Sequence, residues 1–131
     1  MGSIRKLRVA EDAHHLTLEV YRATENFPKP ETYGLRAQMR AAAISVPSNL
    51  AEGVGRNRDG ELGRFANVAL GSAGELRCQV MIARDLGYIA PPVADELDER
   101  IDKVQAMLAK LTRRVKHDLA SGRSKRIADS G

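Results

Sequence analysis

Glu11 and His14 stand three residues apart in Glu11-Asp12-Ala13-His14, the spacing at which one turn of helix offers a carboxylate and an imidazole to a metal. A di-iron centre needs two such pairs on different helices and two further glutamates. The chain supplies half of that set, since His117 has Arg114 three residues before it. The other reading is a pair of surface side chains at the start of a helix, and we expect neither metal nor other cofactor. Cys78, the one cysteine, has no CxxC neighbour and no base beside it in sequence, so it reads as a small core or interface residue. Gly53-Val54-Gly55 is followed by Arg56, where a phosphate loop needs lysine and serine or threonine. No catalytic constellation is left, and the expectation is a protein that is not an enzyme.

What remains is charge. The 131 residues carry a net +4 with three neutral histidines and a pI near 9.5. Lys110, Arg113, Arg114, Lys116, Arg123, Lys125 and Arg126 stand against Asp118 alone, so this one segment is more positive than the whole chain and the remainder is net acidic. Arg113, Arg114, Lys116, Arg123, Lys125 and Arg126 are therefore candidate contacts for nucleic-acid phosphates. The alternative is a helix end whose cations complement its dipole, followed by an unstructured tail.

These side chains must be carried by helices. Hydrophobic residues make up 43% of the chain but aromatic ones only 4%, with no Trp, the composition of an Ala/Leu/Val core. The length suits one domain. A single cysteine excludes an internal disulfide, and no leader or long apolar run is evident, so a cytoplasmic protein without membrane contact is expected. Residues 1–8 read as a flexible basic lead-in, 9–120 as the helical domain and 121–131 as a flexible basic tail.

Val9, Ala13, Leu16, Val20 and Ala23 line one face of a first helix, which Phe27-Pro28-Lys29-Pro30 ends. The second runs from Glu31 to about Arg56 with Met39, Ala43, Val46 and Leu50 as its apolar seam. Asn57-Arg58-Asp59-Gly60 breaks the pattern, and Asp59 can cap the next helix. That third helix spans about Gly60 to Leu86, before Gly87 and Pro91-Pro92. The fourth, about Val93 to Ala120, has Leu97, Ile101, Val104, Leu108, Leu111 and Val115 alternating by four and three, the seam of a bundle. Short loops between consecutive helices predict an all-α, antiparallel, up-down-up-down four-helix bundle.

Two features do not fit a plain bundle. Ser45, Ser48, Asn49, Glu52 and Arg56 form a polar stripe beside the seam of the second helix. With Glu75 of the third, and Arg40, Arg56 and Arg77 as candidate partners, they read as a polar network at a helix or subunit interface. A ligand or nucleic-acid contact and a merely solvated face are the alternatives. Pro47 interrupts the same helix, so either it kinks there, with Ser45 or Ser48 assisting the freed carbonyls, or one helix ends near Ile44 and another starts at Ser45. On the third helix Asn67, Gly71, Gly74 and Cys78 form a row of small residues. Mid-helix glycines cost about 1 kcal/mol each, so Gly71 and Gly74 read as points of close packing against a helix of this chain or of another subunit.

Ser45-Val46-Pro47-Ser48-Asn49-Leu50-Ala51-Glu52-Gly53, then Arg56, then Ala69-Leu70-Gly71-Ser72-Ala73-Gly74-Glu75-Leu76 closely resembles the bacterial four helix bundle protein family. Its founding members are encoded in intervening sequences of large-subunit ribosomal RNA genes and were once labelled a ribosomal protein. The likeness runs from about Phe27-Pro28 through Tyr33-Gly34-Leu35 and Gln38-Met39-Arg40 to Leu86-Gly87-Tyr88-Ile89, roughly half of the chain. The resemblance implies a closed, ring-like homopentamer. It also implies kinship of fold with the accessory variability determinant of diversity-generating retroelements, a pentamer that binds a reverse transcriptase and nucleic acid through a basic surface. The expectation is a non-catalytic pentameric scaffold that binds nucleic acid, as an accessory to a reverse transcriptase or to ribosomal RNA. An adaptor whose partner is another protein is the alternative.

Overall fold

The computed structural model describes residues 7–122. Four helices, α1 (Arg8–Thr24), α2 (Leu35–Gly55), α3 (Asp59–Asp85) and α4 (Pro91–Ala120), share one hydrophobic core, with a short 3₁₀ turn at Lys29–Glu31 before α2. No strand occurs among the described residues. The predicted seam of α4 is buried throughout, as are Met39, Ala43, Val46 and Leu50 of α2 and Leu62, Ala69, Leu76 and Ala83 of α3. Full burial of one Leu or Val side chain contributes about 1.5–3 kcal/mol, and Leu16, Leu50, Leu62, Leu76 and Leu108 all lie at the centre. Leu86, expected as the end of the third helix, lies one residue past it and is 55% exposed.

The helix ends follow from local chemistry. Gly87 adopts a left-handed φ of 77°, which lets its N–H reach the Arg84 carbonyl and the Tyr88 N–H the Ala83 carbonyl, both at 2.9 Å. This is a Schellman closure, and glycine takes that backbone without strain. At the start of α3 the cap position is Arg58 and no side chain caps it; Asp59, the expected cap, is already the first helical residue and is buried. α1 begins at Arg8, and Leu7 packs against the core.

Pro47 neither ends α2 nor divides it. Its missing N–H frees the Ala43 carbonyl, and the group that reaches that oxygen is Thr17 Oγ1 of α1, at 3.1 Å. The expected helpers, Ser45 and Ser48, are used differently. Ser45 Oγ lies 2.8 Å from Ser72 Oγ of α3, and Ser48 is exposed.

The tight contacts between helices fall at two glycines other than those predicted. A Cβ on Gly53 would meet Leu62 Cα at 3.2 Å and Phe65 Cβ at 3.1 Å, and one on Gly63 would meet Val115 Cγ1 at 3.0 Å. Gly71 faces open space, and a Cβ on Gly74 would meet only Gln105 Nε2, at 3.6 Å. Within this chain, then, Gly71 and Gly74 are not sites of close packing. Gly71 lies on the outer side of α3, and Gly74 has ordinary room beside a polar side chain of α4.

Candidate nucleic-acid interface

The first turns of α3 and the last turns of α4 enclose an open groove of about 620 Å³. Gly60, Gly63, Val115 and Leu119 give it a low, uncharged lining. Gly63 helps α4 close against α3 there, since a Cβ at that position would stand 3.0 Å from Val115 Cγ1. The polar groups facing the groove are Arg64 and Asn67 from α3 and Thr112, Arg113 and Lys116 from α4. A second hollow of about 380 Å³ adjoins it, sharing Gly60, Arg64 and Leu119 and adding Arg58 and Glu61.

The electrostatics of this end favour anions. Arg58, Arg113 and Lys116 have no ion-pair partner among the described residues, whereas Arg64 is paired with Glu61 at 3.0 Å and lies 4.3 Å over the Phe65 ring. No side chain caps α3, but Asp59 and Glu61 stand in its first turn and complement the positive end of its dipole, so the excess positive charge here comes from the side chains. The cations of α4 meanwhile offset the negative end of their own helix.

Not every expected contact joins this site. Arg113 and Lys116 line the groove. Arg114 does not: on α4 it is rotated about 100° from Arg113 and about 160° from Lys116, toward the other flank. Arg123, Lys125 and Arg126 lie outside the described residues. Arg58 and Arg64 were not singled out from sequence, although they flank Gly60 and Gly63, the pair of small residues that opens the groove.

The polar stripe resolves into separate pieces. Asn49 Nδ2 donates to the Ser45 carbonyl at 2.7 Å and to Ser45 Oγ at 2.9 Å, so Asn49, Ser45 and Ser72 form one cluster across α2 and α3. Glu52 and Arg56 pair with each other at 2.9 Å on the exposed surface. Glu75 accepts from Gln79 Nε2 at 3.3 Å. The remaining candidate partners are used elsewhere. Arg40 bonds to Thr24 Oγ1 and the Tyr21 carbonyl, and Arg77 bonds to Gln105 and Asp102 of α4. Within the chain the six residues are therefore not one network: Ser48 is exposed, and Glu52 pairs with Arg56, whose guanidinium lies 5.8 Å over the Phe65 ring of α3, apart from the Ser45 cluster.

Other chemistry is sparse. Glu11 and His14 are exposed, with His14 edge-on to His15 at 5.7 Å, and no three His, Cys, Asp or Glu side chains are grouped to hold a metal among the described residues. Cys78 is exposed on the outer side of α3, not in the core. No helix among the described residues is long and apolar enough to cross a membrane.

Residues 5–110 match the model of the family described as 23S rRNA-intervening sequence protein. No curated protein matches the chain. The matched span contains Arg58, Arg64 and Asn67 and ends just before Thr112, Arg113 and Lys116, so one wall of the groove lies inside it and the other outside.

Proposed function

The chain belongs to the 23S rRNA-intervening sequence protein family, and from that premise we propose a non-catalytic, cytoplasmic, homopentameric scaffold that binds the nucleic-acid backbone in the groove between α3 and α4. The observation that carries the reading is that Arg113 and Lys116 line the groove and Arg58 the hollow adjoining it, all three without carboxylate partners among the described residues, with Arg64 shared between the two hollows. Elsewhere Arg22, Arg56, Arg77, Arg84, Arg100 and Lys103 each have a carboxylate neighbour, while the other described cations without one, among them Lys29, Arg36, Lys110 and Arg114, do not line these hollows. Unneutralised charges gathered at one place repel one another, and a polyanion relieves that repulsion while releasing its own counterions.

The helices alternate in direction in this reading. Ser45 meets Ser72 while Gly53 meets Leu62 and Phe65, and Gly63 faces Val115 while Gly74 faces Gln105, the pairing of antiparallel neighbours in an up-down-up-down bundle. Self-association is supported by the outermost positions of α2. Ala37, Ala41, Ile44, Ser48, Ala51 and Gly55, at alternating steps of four and three, are exposed and carry no charge. A helix face that met only water would be charged there. On α3, Val68, Gly71, Cys78 and Ile82 extend this exposed surface, with the charged Glu75 between Gly71 and Cys78. Fivefold closure rests on the family resemblance, as does the partner, ribosomal RNA or a reverse transcriptase with its template.

The competing reading is a protein adaptor, in which this uncharged face meets a different protein and the groove is incidental. Titration of labelled RNA and DNA with the purified chain at ~50 mM salt separates the two. Saturable binding whose log K falls linearly with log salt supports the scaffold, and no binding to any nucleic acid rejects it. Light scattering after size exclusion tests the ring, with a mass near five times 14.3 kDa expected.

A further inference from the structure

We propose that the groove is selective for single-stranded RNA, and that Thr112 is the residue that distinguishes ribose from deoxyribose. The inference rests on the nucleic-acid reading above and deepens it. Thr112 Oγ1 lies 2.9 Å from the Ala109 carbonyl of its own helix turn. A hydroxyl has one hydrogen, and here it is given to that carbonyl. The Thr112 oxygen is left as an acceptor only, on a residue that lines the groove between Arg113 and Lys116 and the α3 wall.

Such a bond is ordinary for a helical threonine, but its consequence here is an oxygen that offers nothing to a phosphate, which brings no hydrogen and is repelled by a lone pair. A ribose 2′-hydroxyl does bring one. With phosphates held by Arg113, Lys116 and Arg64, the sugar between two phosphates passes the level of Thr112, and its 2′-OH donates to Oγ1. Deoxyribose has nothing to donate there, and the 2′-hydroxyl is the group by which a protein tells RNA from DNA at one site. Asn67 on the opposite wall adds an amide that offers both donor and acceptor.

Shape argues for a single strand. Cations stand on both walls of a hollow between two packed helices, whose axes are commonly 8–10 Å apart. The phosphates of a duplex lie on a convex cylinder and meet only the outer rims, so they cannot reach the glycine-lined floor at Gly60 and Gly63. A lone backbone can bend into it.

The test compares oligo(U) with oligo(dU) of equal length, and with duplex RNA, at one fixed salt concentration. Wild type should bind oligo(U) about fivefold tighter than oligo(dU), the worth of one net hydrogen bond, and tighter than duplex. Thr112→Val should bring the ratio to about one by weakening oligo(U) alone, and Thr112→Ser should keep the ratio. Equal affinity for the two strands, a ratio that survives Thr112→Val, or preferred binding of duplex would each overturn the proposal while leaving phosphate binding intact. Failure of all three ligands to bind would instead remove the nucleic-acid reading itself, and this inference with it. Circular dichroism of each variant establishes that the fold is unchanged.

Discussion

The Thr17 hydroxyl of α1 lies 3.1 Å from the carbonyl of Ala43 in α2, the acceptor that Pro47 deprives of its helical donor. Thr17 Oγ1 also stands 2.8 Å from the Ala13 carbonyl, so one hydrogen serves two oxygens in turn. A helix interior proline costs about 3 kcal/mol in a free helix. In this fold part of that cost is offset from a neighbouring helix, which ties the backbone of α2 to α1 at mid-height.

This geometry calls for a double-mutant cycle. Thr17→Val should destabilise the fold by about 1 kcal/mol, the net value of one hydrogen bond, or somewhat more if the Ala43 oxygen is left dry. In a Pro47→Ala background the backbone regains an N–H at that position, which takes over the Ala43 acceptor, and the same Thr17→Val change should cost measurably less. Chemical denaturation of the four proteins gives the coupling, and additive effects would show that Thr17 and Pro47 act independently.

The glycines separate folding from assembly. Gly53→Ala and Gly63→Ala place a Cβ at 3.0–3.2 Å from atoms of the neighbouring chain segment, and overpacking of that kind typically costs 1–3 kcal/mol, against a helix-propensity gain of about 1 kcal/mol for Ala over Gly, so both should be less stable than Gly71→Ala. Gly71→Ala has open space around it and removes the entropic penalty of a mid-helix glycine, so it should be neutral or stabilising by up to about 1 kcal/mol. Gly71→Leu should also leave the monomer fold intact. If the outer face of α3 meets another copy, its effect will appear in the light-scattering mass and not in the helical signal. Unchanged mass and melting temperature for Gly71→Leu would place that residue outside any subunit contact.

Two loops at one end of the fold are joined by a titratable bond. Tyr88 Oη donates to Glu31 Oε2 at 3.0 Å, while Glu31 Oε1 accepts the Leu35 N–H at 3.0 Å at the start of α2. The bond to Glu31 comes first among the causes that raise the Tyr88 phenol above its ordinary value near 10, followed by desolvation and the carboxylate charge. A pKa raised on folding means that the protonated phenol is favoured in the folded state. Its contribution is complete below pH ~10 and is lost as pH rises through the higher folded value. Melting temperature should therefore fall more steeply above pH ~10 in the wild type than in Tyr88→Phe, and parallel curves would exclude the bond as a source of that loss.

The period of the apolar residues made the four helices legible, because each helix shows one continuous stripe to a shared core and Gly87 supplies a closure that its sequence position announces. The close contacts were not legible in the same way. Gly71 and Gly74 stood out by their spacing, yet whether a glycine admits a neighbour depends on which way its helix is turned, and Gly53 and Gly63 are the ones turned inward. The groove shows the same division. A charge count finds Arg113 and Lys116, but it cannot separate them from Arg114, which a single residue's rotation carries to another flank. Nor can it add Arg58 and Arg64, which come from a helix distant in sequence. The helper for Pro47 was sought among nearby serines and came from Thr17, again a residue brought close only by packing.

That rotation gives the sharpest test of the binding site. If a phosphate backbone lies in the groove, each contact with Arg64, Arg113 or Lys116 contributes about −0.7 to −0.9 to the slope of log K against log salt. Replacing these three with Gln should weaken binding and flatten the slope, in single-stranded RNA and DNA alike. The exchange should leave the core untouched, because Arg64, Arg113 and Lys116 are exposed whereas Leu108, Leu111 and Val115 of α4 are buried. Arg114→Gln removes the same charge from the same helix turn but on the other flank. It should lower affinity only through the diffuse field of the protein and leave the slope nearly as it was. Equal loss of slope from Arg114→Gln and from Arg113→Gln would mean that nucleic acid follows the net charge of the α4 end and not the groove. A flattened slope in the triple variant with an unaltered one in Arg114→Gln would locate the backbone between α3 and α4.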